Sequence, residues 1–211
     1  MVRFKHYILT KFNLNVYSGD NIHAKVVKDP EQWMHHRKYL FENYTLRSVM
    51  RQTCKDFTWI IGYDPKTPKK WLTKYDYIDN IQIVFGQPHF YLRSLPVEAD
   101  WLVTSRIDND DWYYRDFVAA IQGEVVKDHE IIDVRYITSS RYDPLRERAN
   151  SPFLSVCEPW GDKVLTAFGR PHTNMVDELP AKKINRVLAA QIIHDRNVNN
   201  HKTIHEKGRI R

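Results

Sequence analysis

Apolar residues cluster in "HYILTKF", "FTWIIGYD", "IQIVFG" and "DWLVTSRID", and each cluster ends in polar or turn-forming residues. Short runs of this kind, rich in Ile, Val and aromatic residues, predict strands. Between them the period lengthens. Asp29 is placed to cap a helix with Pro30 at its first position and Glu31 just inside. Trp33, Arg37, Leu40 and Phe41 continue that helix as a stripe. "YTLRSVMRQTC" predicts a second turn and helix, and "PKKWLTKY" a short one. Phe117, Ala120 and Ile121 share one face of a further helix, after which "EIIDVRYITSS" returns to strand character. "KINRVLAAQIIH" suits a helix through Ile184, Val187, Leu188 and Ile192, whereas "AAQIIH" fits a buried strand equally well. Strand and helix alternate, which predicts an α/β fold with a largely parallel sheet flanked by helices.

Length and composition narrow the picture. The 211 residues fit one large domain or two small ones. No repeat, low-complexity tract or Pro/Gly-rich linker divides them, so a single domain is expected. No stretch approaches the roughly 20 apolar residues of a membrane span. The opening "MVRFKHYILTKF" is too short in its apolar part, and broken by Lys11, for a signal peptide. Two cysteines, Cys54 and Cys157, make no disulfide framework, so a reducing, cytoplasmic setting is expected, with peripheral membrane attachment as a variant. A formal charge of +6 favours anionic partners: nucleotides, nucleic acid or an anionic membrane surface. The tail 201–211, "HKTIHEKGRIR", carries part of that excess and reads as a solvated end.

The chemistry concentrates in "SRIDNDDWYYRDF", where Asp108, Asp110, Asp111 and Asn109 crowd the end of an apolar strand. Like charges so close repel, and burying them costs solvation energy, so something must compensate. In an open α/β sheet, ligands bind beyond the carboxyl ends of strands, and the run "WLVTSRID" delivers Asp108 there. Extended alternation would turn Asp108 and Asp110 one way and Asn109 and Asp111 the other. Two hard oxygen ligands on one side suit Mg²⁺ or Mn²⁺, whose shell is completed by phosphate and water. The simpler explanation is that Asp110 or Asp111 caps a helix starting near Trp112; that accounts for one aspartate, not three. An EF-hand loop is excluded, because Trp112 stands where an oxygen ligand belongs and the required glycine and glutamate are out of register.

Several stretches together resemble a bacterial rhamnosyltransferase family of the GT-A, nucleotide-sugar type. They are "HYILTKFNL", "RKYLFENYTLRSVMRQTCKDFTWIIGYDPKTP", "LPVEADWLVTSRIDNDDWYYRDFVAAIQ", "SPFLSVCEP" and "IIHDRNVNN", in the expected order over most of the chain. The resemblance implies a GT-A-like domain over 1–200, with a donor-binding part about 1–115 and an acceptor-side part about 116–200. It implies transfer of a sugar, rhamnose by the family's label, from a nucleoside diphosphate to a hydroxyl of a glycan or other acceptor. Mn²⁺ or Mg²⁺ would be held against the donor diphosphate by Asp110, Asp108 and His194, with Asp108 also reaching ribose or metal-bound water. Thr10, Lys11, Phe12 and Asn13 fall where such folds grip the nucleoside, and Phe12 is a candidate to stack on the base. Asp64 is a candidate for base or ribose, and Arg93 for the diphosphate; Arg106 is placed to pair with the acids. For an inverting reaction, a base must deprotonate the acceptor. Glu158, closing a short apolar strand before a Pro turn, is the first candidate, with Asp177 and His172 as alternatives, and Asp111 either caps a helix or touches the acceptor sugar. Competing readings are a transferase acting on DNA or another polyanion, and a metal-dependent nucleic-acid-processing or binding protein. The chain carries no helix-turn-helix, zinc-finger or aromatic ribonucleoprotein signature for the latter.

Overall fold

A computed structural model describes residues 3–17, 27–72, 75, 78–125, 130–139, 146–148 and 151–194. Four strands form a parallel half-sheet: β1 (Phe4–Lys11), β2 (Thr58–Tyr63), β3 (Ile81–Phe85) and β4 (Trp101–Arg106), in the order β3-β2-β1-β4. Their apolar runs are continuous because both faces are covered. Ile8, Trp59, Ile61 and Val103 belong to one core; Tyr7, Leu9, Ile60 and Leu102 belong to another on the opposite face.

Beyond β4 the sheet becomes mixed. β8 (Ser155–Pro159) runs antiparallel to β4, and β6 (Glu130–Ser139) antiparallel to β8. β9 (Ala181–Gln191) then runs parallel to β6, and β5 (Trp112–Tyr113) closes the order antiparallel to β9; β7 (Arg146–Glu147) pairs with β6. The carboxyl ends of β1 to β4, β6 and β9 therefore share one edge.

Helix α1 (Pro30–Leu40) starts as the sequence predicts, with Gln32 N donating to Asp29 Oδ1 at 3.1 Å and Pro30 in the first turn. It continues through a π-helical turn, Phe41–Thr45, into α2 (Leu46–Met50). The predicted short helix in "PKKWLTKY" is a single 3₁₀ turn, Lys69–Trp71. α3 (Pro88–Arg93), which the pattern did not reveal, follows β3; α4 (Phe117–Gly123) and α5 (His172–Glu178) complete the helices among the described residues. α4 begins at Phe117, not Trp112, because Trp112 and Tyr113 are taken into the sheet. The open choice at "KINRVLAAQIIH" resolves to strand, and over a longer stretch than "AAQIIH".

Candidate active site

The strand carrying the acids stops at Arg106, and Asp108–Asp111 form a turn in which Asp111 N donates to Asp108 O at 3.3 Å. The expected strand-like alternation is therefore absent. A turn brings consecutive side chains to one side, and Arg37 Nη1 donates both to Asn109 Oδ1, at 3.1 Å, and to Asp110 Oδ2. Arg37 comes from the last turn of α1, and its side chain is 8% exposed against 9% for Asp110. The π-turn sets Thr45 against the acid turn from the same side, where its hydroxyl donates to Asp111 O at 2.9 Å.

A second element closes in from the far end of the sheet. Trp112 pairs with Ala190, so the residues just before β5 meet those just after β9. Ile192 N donates to Asp111 Oδ1 at 3.1 Å, and His194 Nε2 lies 2.9 Å from Asp110 Oδ2. His36 packs edge-on against the His194 ring at 5.0 Å. Asp110 and His194, 84 residues apart, are thus joined by β5–β9 pairing.

Neither Asp110 nor Asp111 caps α4. Its first turn is served from the segment just after α2, where Gln52 Oε1 accepts Val118 N at 3.0 Å while Gln52 Nε2 donates to Tyr114 O at 2.9 Å. What compensates the crowding is the division of charge between the two acids. Burial raises the Asp110 pKa, but Arg37 and His194 outweigh it and hold the carboxyl below the usual range. For Asp111, burial and then the charges of Asp110 and Asp108 push the pKa well above that range. Adjacent carboxyls driven apart in this way favour one ionised group and one that keeps its proton.

The remaining candidates fall into two groups. Thr10, Phe12, Asn13 and Asp64 stand at the same edge but are engaged with the protein. Thr10 Oγ1 donates to Ile107 O at 2.9 Å and accepts Trp59 Nε1 at 3.0 Å. Phe12 stacks on Tyr63 with centroids 4.6 Å apart, while its carbonyl accepts Asn109 Nδ2. Asn13 donates to Thr67 Oγ1 at 2.8 Å and accepts Asp64 N at 3.0 Å; Asp64 Oδ1 accepts Lys66 N at 2.8 Å, the turn geometry expected before Pro65. Asp108 remains partly exposed, with Arg106 Nη2 at 3.3 Å from its Oδ1, as the sequence suggested for Arg106.

Arg93 and Glu158 are not brought to the acid turn. Arg93 donates from Nε and Nη2 to Val164 O at 3.0 and 2.8 Å. Glu158 pairs with Leu102 in the β4–β8 register, four residues before Arg106, or about 13 Å back along the strand. Its two oxygens accept Leu165 N at 2.6 Å and Thr166 N at 2.8 Å, so it clasps the loop that follows β8. His172 opens α5; the side chain of Asp177 and the residues after His194 in "IIHDRNVNN" lie outside the described residues, as does the tail. The residue that sequence reasoning missed is Arg37, and its signal was one cation inside an apolar helical stripe.

Among the described residues no group of three His, Cys, Asp or Glu side chains converges as a metal site. A Mg²⁺-type ion needs no such group, since it takes one or two protein ligands and fills the rest with water and phosphate. Asp110 Oδ2 and His194 Nε2, 2.9 Å apart, have the spacing of two adjacent ligands on an ion with bonds of about 2.1 Å. Asp110 can offer such an ion one hard oxygen, with His194 Nε2 beside it, whereas Asp108 turns to Arg106.

The mixed, mostly parallel sheet flanked by helices is of the GT-A type, the fold expected from the sequence. Over residues 1–206 the chain matches the family described as "Putative rhamnosyl transferase", and it belongs to that family. No curated protein matches it. Among solved structures, S. aureus TarS 1–349 superposes with a TM-score of 0.52 at 10% identity, covering 89% of this chain and 60% of that one. The same TarS segment in complex with UDP-GlcNAc gives 0.52 at 12% identity, covering 92% and 60%. A longer S. aureus TarS gives 0.52 at 8% identity, covering 90% and 37%. The chain thus spans at most about 60% of the length of these structures. No helix among the described residues is long and apolar enough to cross a membrane.

Proposed function

We propose that the chain transfers a sugar from a nucleoside diphosphate to an acceptor hydroxyl at the edge built by Asp108–Asp111 and His194. The observation that carries this reading is the meeting of Asp110 with His194 and Arg37 where a parallel sheet receives ligands. Family membership supports a sugar transferase and rhamnose as the sugar, and TarS, crystallised with UDP-GlcNAc, supports a nucleotide-sugar donor. Asp110 and His194 would hold Mg²⁺ or Mn²⁺; when bound, such an ion acts as a Lewis acid that stabilises charge developing on the leaving diphosphate. Arg37 keeps Asp110 ionised and oriented. Asp111 stands at this edge as a contact for the acceptor sugar, since a carboxyl that keeps its proton can donate a hydrogen bond to it. Glu158 contributes by fixing the β8 loop.

The test is a thermal-shift panel of UDP, GDP and dTDP with and without Mn²⁺. A ligand at about 100 times its Kd stabilises by about 2.7 kcal/mol, which at this size raises Tm by roughly 5–10 °C. Stabilisation that increases on adding Mn²⁺, with that Mn²⁺-dependent increase lost in Asp110→Asn, is expected. Equal shifts in wild type and Asp110→Asn would remove Asp110 from the donor site, and degradation of a labelled oligonucleotide without any sugar donor would favour a nuclease.

A further inference from the structure

The acid turn has its compensating cations, but among the described residues the bases beside it outnumber the acids shown facing them. Lys11 closes β1 and Arg106 closes β4. Leu9 and Arg106 are paired in register, so Lys11, two residues on, shares a sheet face with Arg106. Both cations sit against one ring: Lys11 Nζ is 4.5 Å and Arg106 Cζ 4.4 Å from the centroid of Phe168. That ring is firmly placed. Glu158 holds the backbone of Leu165 and Thr166, Ala167 N donates to Thr104 Oγ1 at 2.9 Å, and Arg93 holds Val164 O.

A ring shared by two cations attracts each of them but leaves their mutual repulsion in place. Burial, and then Arg106, bring the Lys11 pKa down to about 8, with Asp108 opposing. His89, on α3, also lies near Lys11: burial and then the charges of Lys11 and Arg93 lower its pKa to about 4. Arg106 keeps a buried Nε–H, and His89 a buried Nδ1, without a hydrogen-bond partner among the described residues. The carboxylate shown facing these bases is Asp108, at 3.3 Å from Arg106. Lys11, Arg106 and Asp108 all retain partial exposure at the ligand-receiving edge. Excess positive charge with an unsatisfied donor, set on a rigid support, is the chemistry of an anion site.

We propose that Lys11 and Arg106, backed by Phe168, form a phosphoryl-binding place at the carboxyl ends of β1 and β4 that takes a diphosphate without a metal ion. Identifying that anion as the donor's diphosphate rests on the transferase reading above; binding of the anion does not. Phosphoryl oxygens would supply the acceptors that Arg106 Nε lacks and the charge that Asp108 alone leaves unbalanced. The leaving diphosphate would then be held from two sides, by Asp110 and His194 through an ion and by Lys11 and Arg106 directly.

The experiment is calorimetric titration of inorganic pyrophosphate, and separately of UDP, in excess EDTA. The proteins are wild type, Lys11→Met, Lys11→Arg and Asp110→Asn, with Lys11→Gln as a second charge-removing variant, each checked for folding by circular dichroism. Expected are pyrophosphate binding by wild type, weakening of tenfold or more in Lys11→Met and Lys11→Gln, and retention within about threefold in Lys11→Arg and Asp110→Asn. No pyrophosphate binding by wild type in EDTA, or equal binding by the charge-removing variants, overturns the proposal. Pyrophosphate binding without any nucleoside diphosphate binding, with or without Mn²⁺, would leave the anion site standing and remove the transferase reading.

Discussion

At the scale of single residues, the decisive feature is a buried arginine spent on a buried carboxylate. Removing one partner of such a pair leaves an uncompensated charge, which costs more than the pair itself contributes. Arg37→Ala is expected to lose about 3 kcal/mol, toward the lower end because His194 still faces Asp110. Asp110→Asn in that background should restore part of the loss, giving a favourable coupling in a urea double-mutant cycle. By contrast, Lys70 and Glu31 pair in the open, 62% and 46% exposed, so Lys70→Ala should leave the urea midpoint essentially unchanged. Additive losses for Arg37 and Asp110 would show that the two do not act as a pair. The site was legible in sequence as far as the acids and His194, because their types and order carry the resemblance. Arg37 was visible only as a helical-stripe residue, since nothing local says that a helix 72 residues upstream of Asn109 closes over the turn. The strand-like alternation expected for Asp108–Asp111 failed for a local reason: pairing ends at Arg106, and a turn brings Asn109 and Asp110 to one cation.

At the scale of elements, the parallel half was readable because strands covered on both faces leave uninterrupted apolar runs. β9 was ambiguous because Ile184 and Leu188 are four apart, a spacing that serves a period of two and a period near 3.6 alike. Register shifts in its pairing with β6 blur the alternation further. α3 escaped notice because six residues give too little period to detect. Its position depends on one close approach. A Cβ on Gly62 would lie 2.5 Å from Gly86 O and 2.7 Å from Pro88 Cδ, at the junction of β2 with the start of α3. Gly62→Ala must therefore displace backbone, with an expected loss of about 2 kcal/mol and a fall in Tm of roughly 4–8 °C. Gly161→Ala, where a Cβ meets nothing within 4 Å, should leave Tm within about 2 °C of wild type. Equal effects of the two substitutions would show that α3 is not held by that contact.

At the scale of the whole molecule, the two halves of the sheet are joined through a buried polar chain that has no part in the proposed chemistry. His6 Nε2 lies 2.8 Å from Ser105 Oγ, which lies 2.6 Å from Ser155 Oγ, linking β1, β4 and β8. All three residues are buried, so the array resembles a nucleophile and its base without the access a substrate would need. Burial lowers the His6 pKa to about 3, against 6.5 for the free side chain. Between those values the unfolded chain binds a proton that the folded chain refuses, so acid favours unfolding. The stability that neutral His6 provides is complete above pH 6.5 and is lost progressively toward pH 3. His89 acts in the same direction down to about pH 4, whereas Asp111, with its raised pKa, acts in the opposite one. The His6 contribution is isolated by comparison with His6→Gln, which keeps a polar group and cannot titrate. Urea unfolding at pH 7, 5.5 and 4.5 should show wild type losing stability faster than His6→Gln below pH 6, by up to about 1.4 kcal/mol per pH unit. Parallel pH profiles would mean that His6 is protonated as readily in the folded sheet as in the unfolded chain, and that the chain of hydroxyls joining the two halves is open to water.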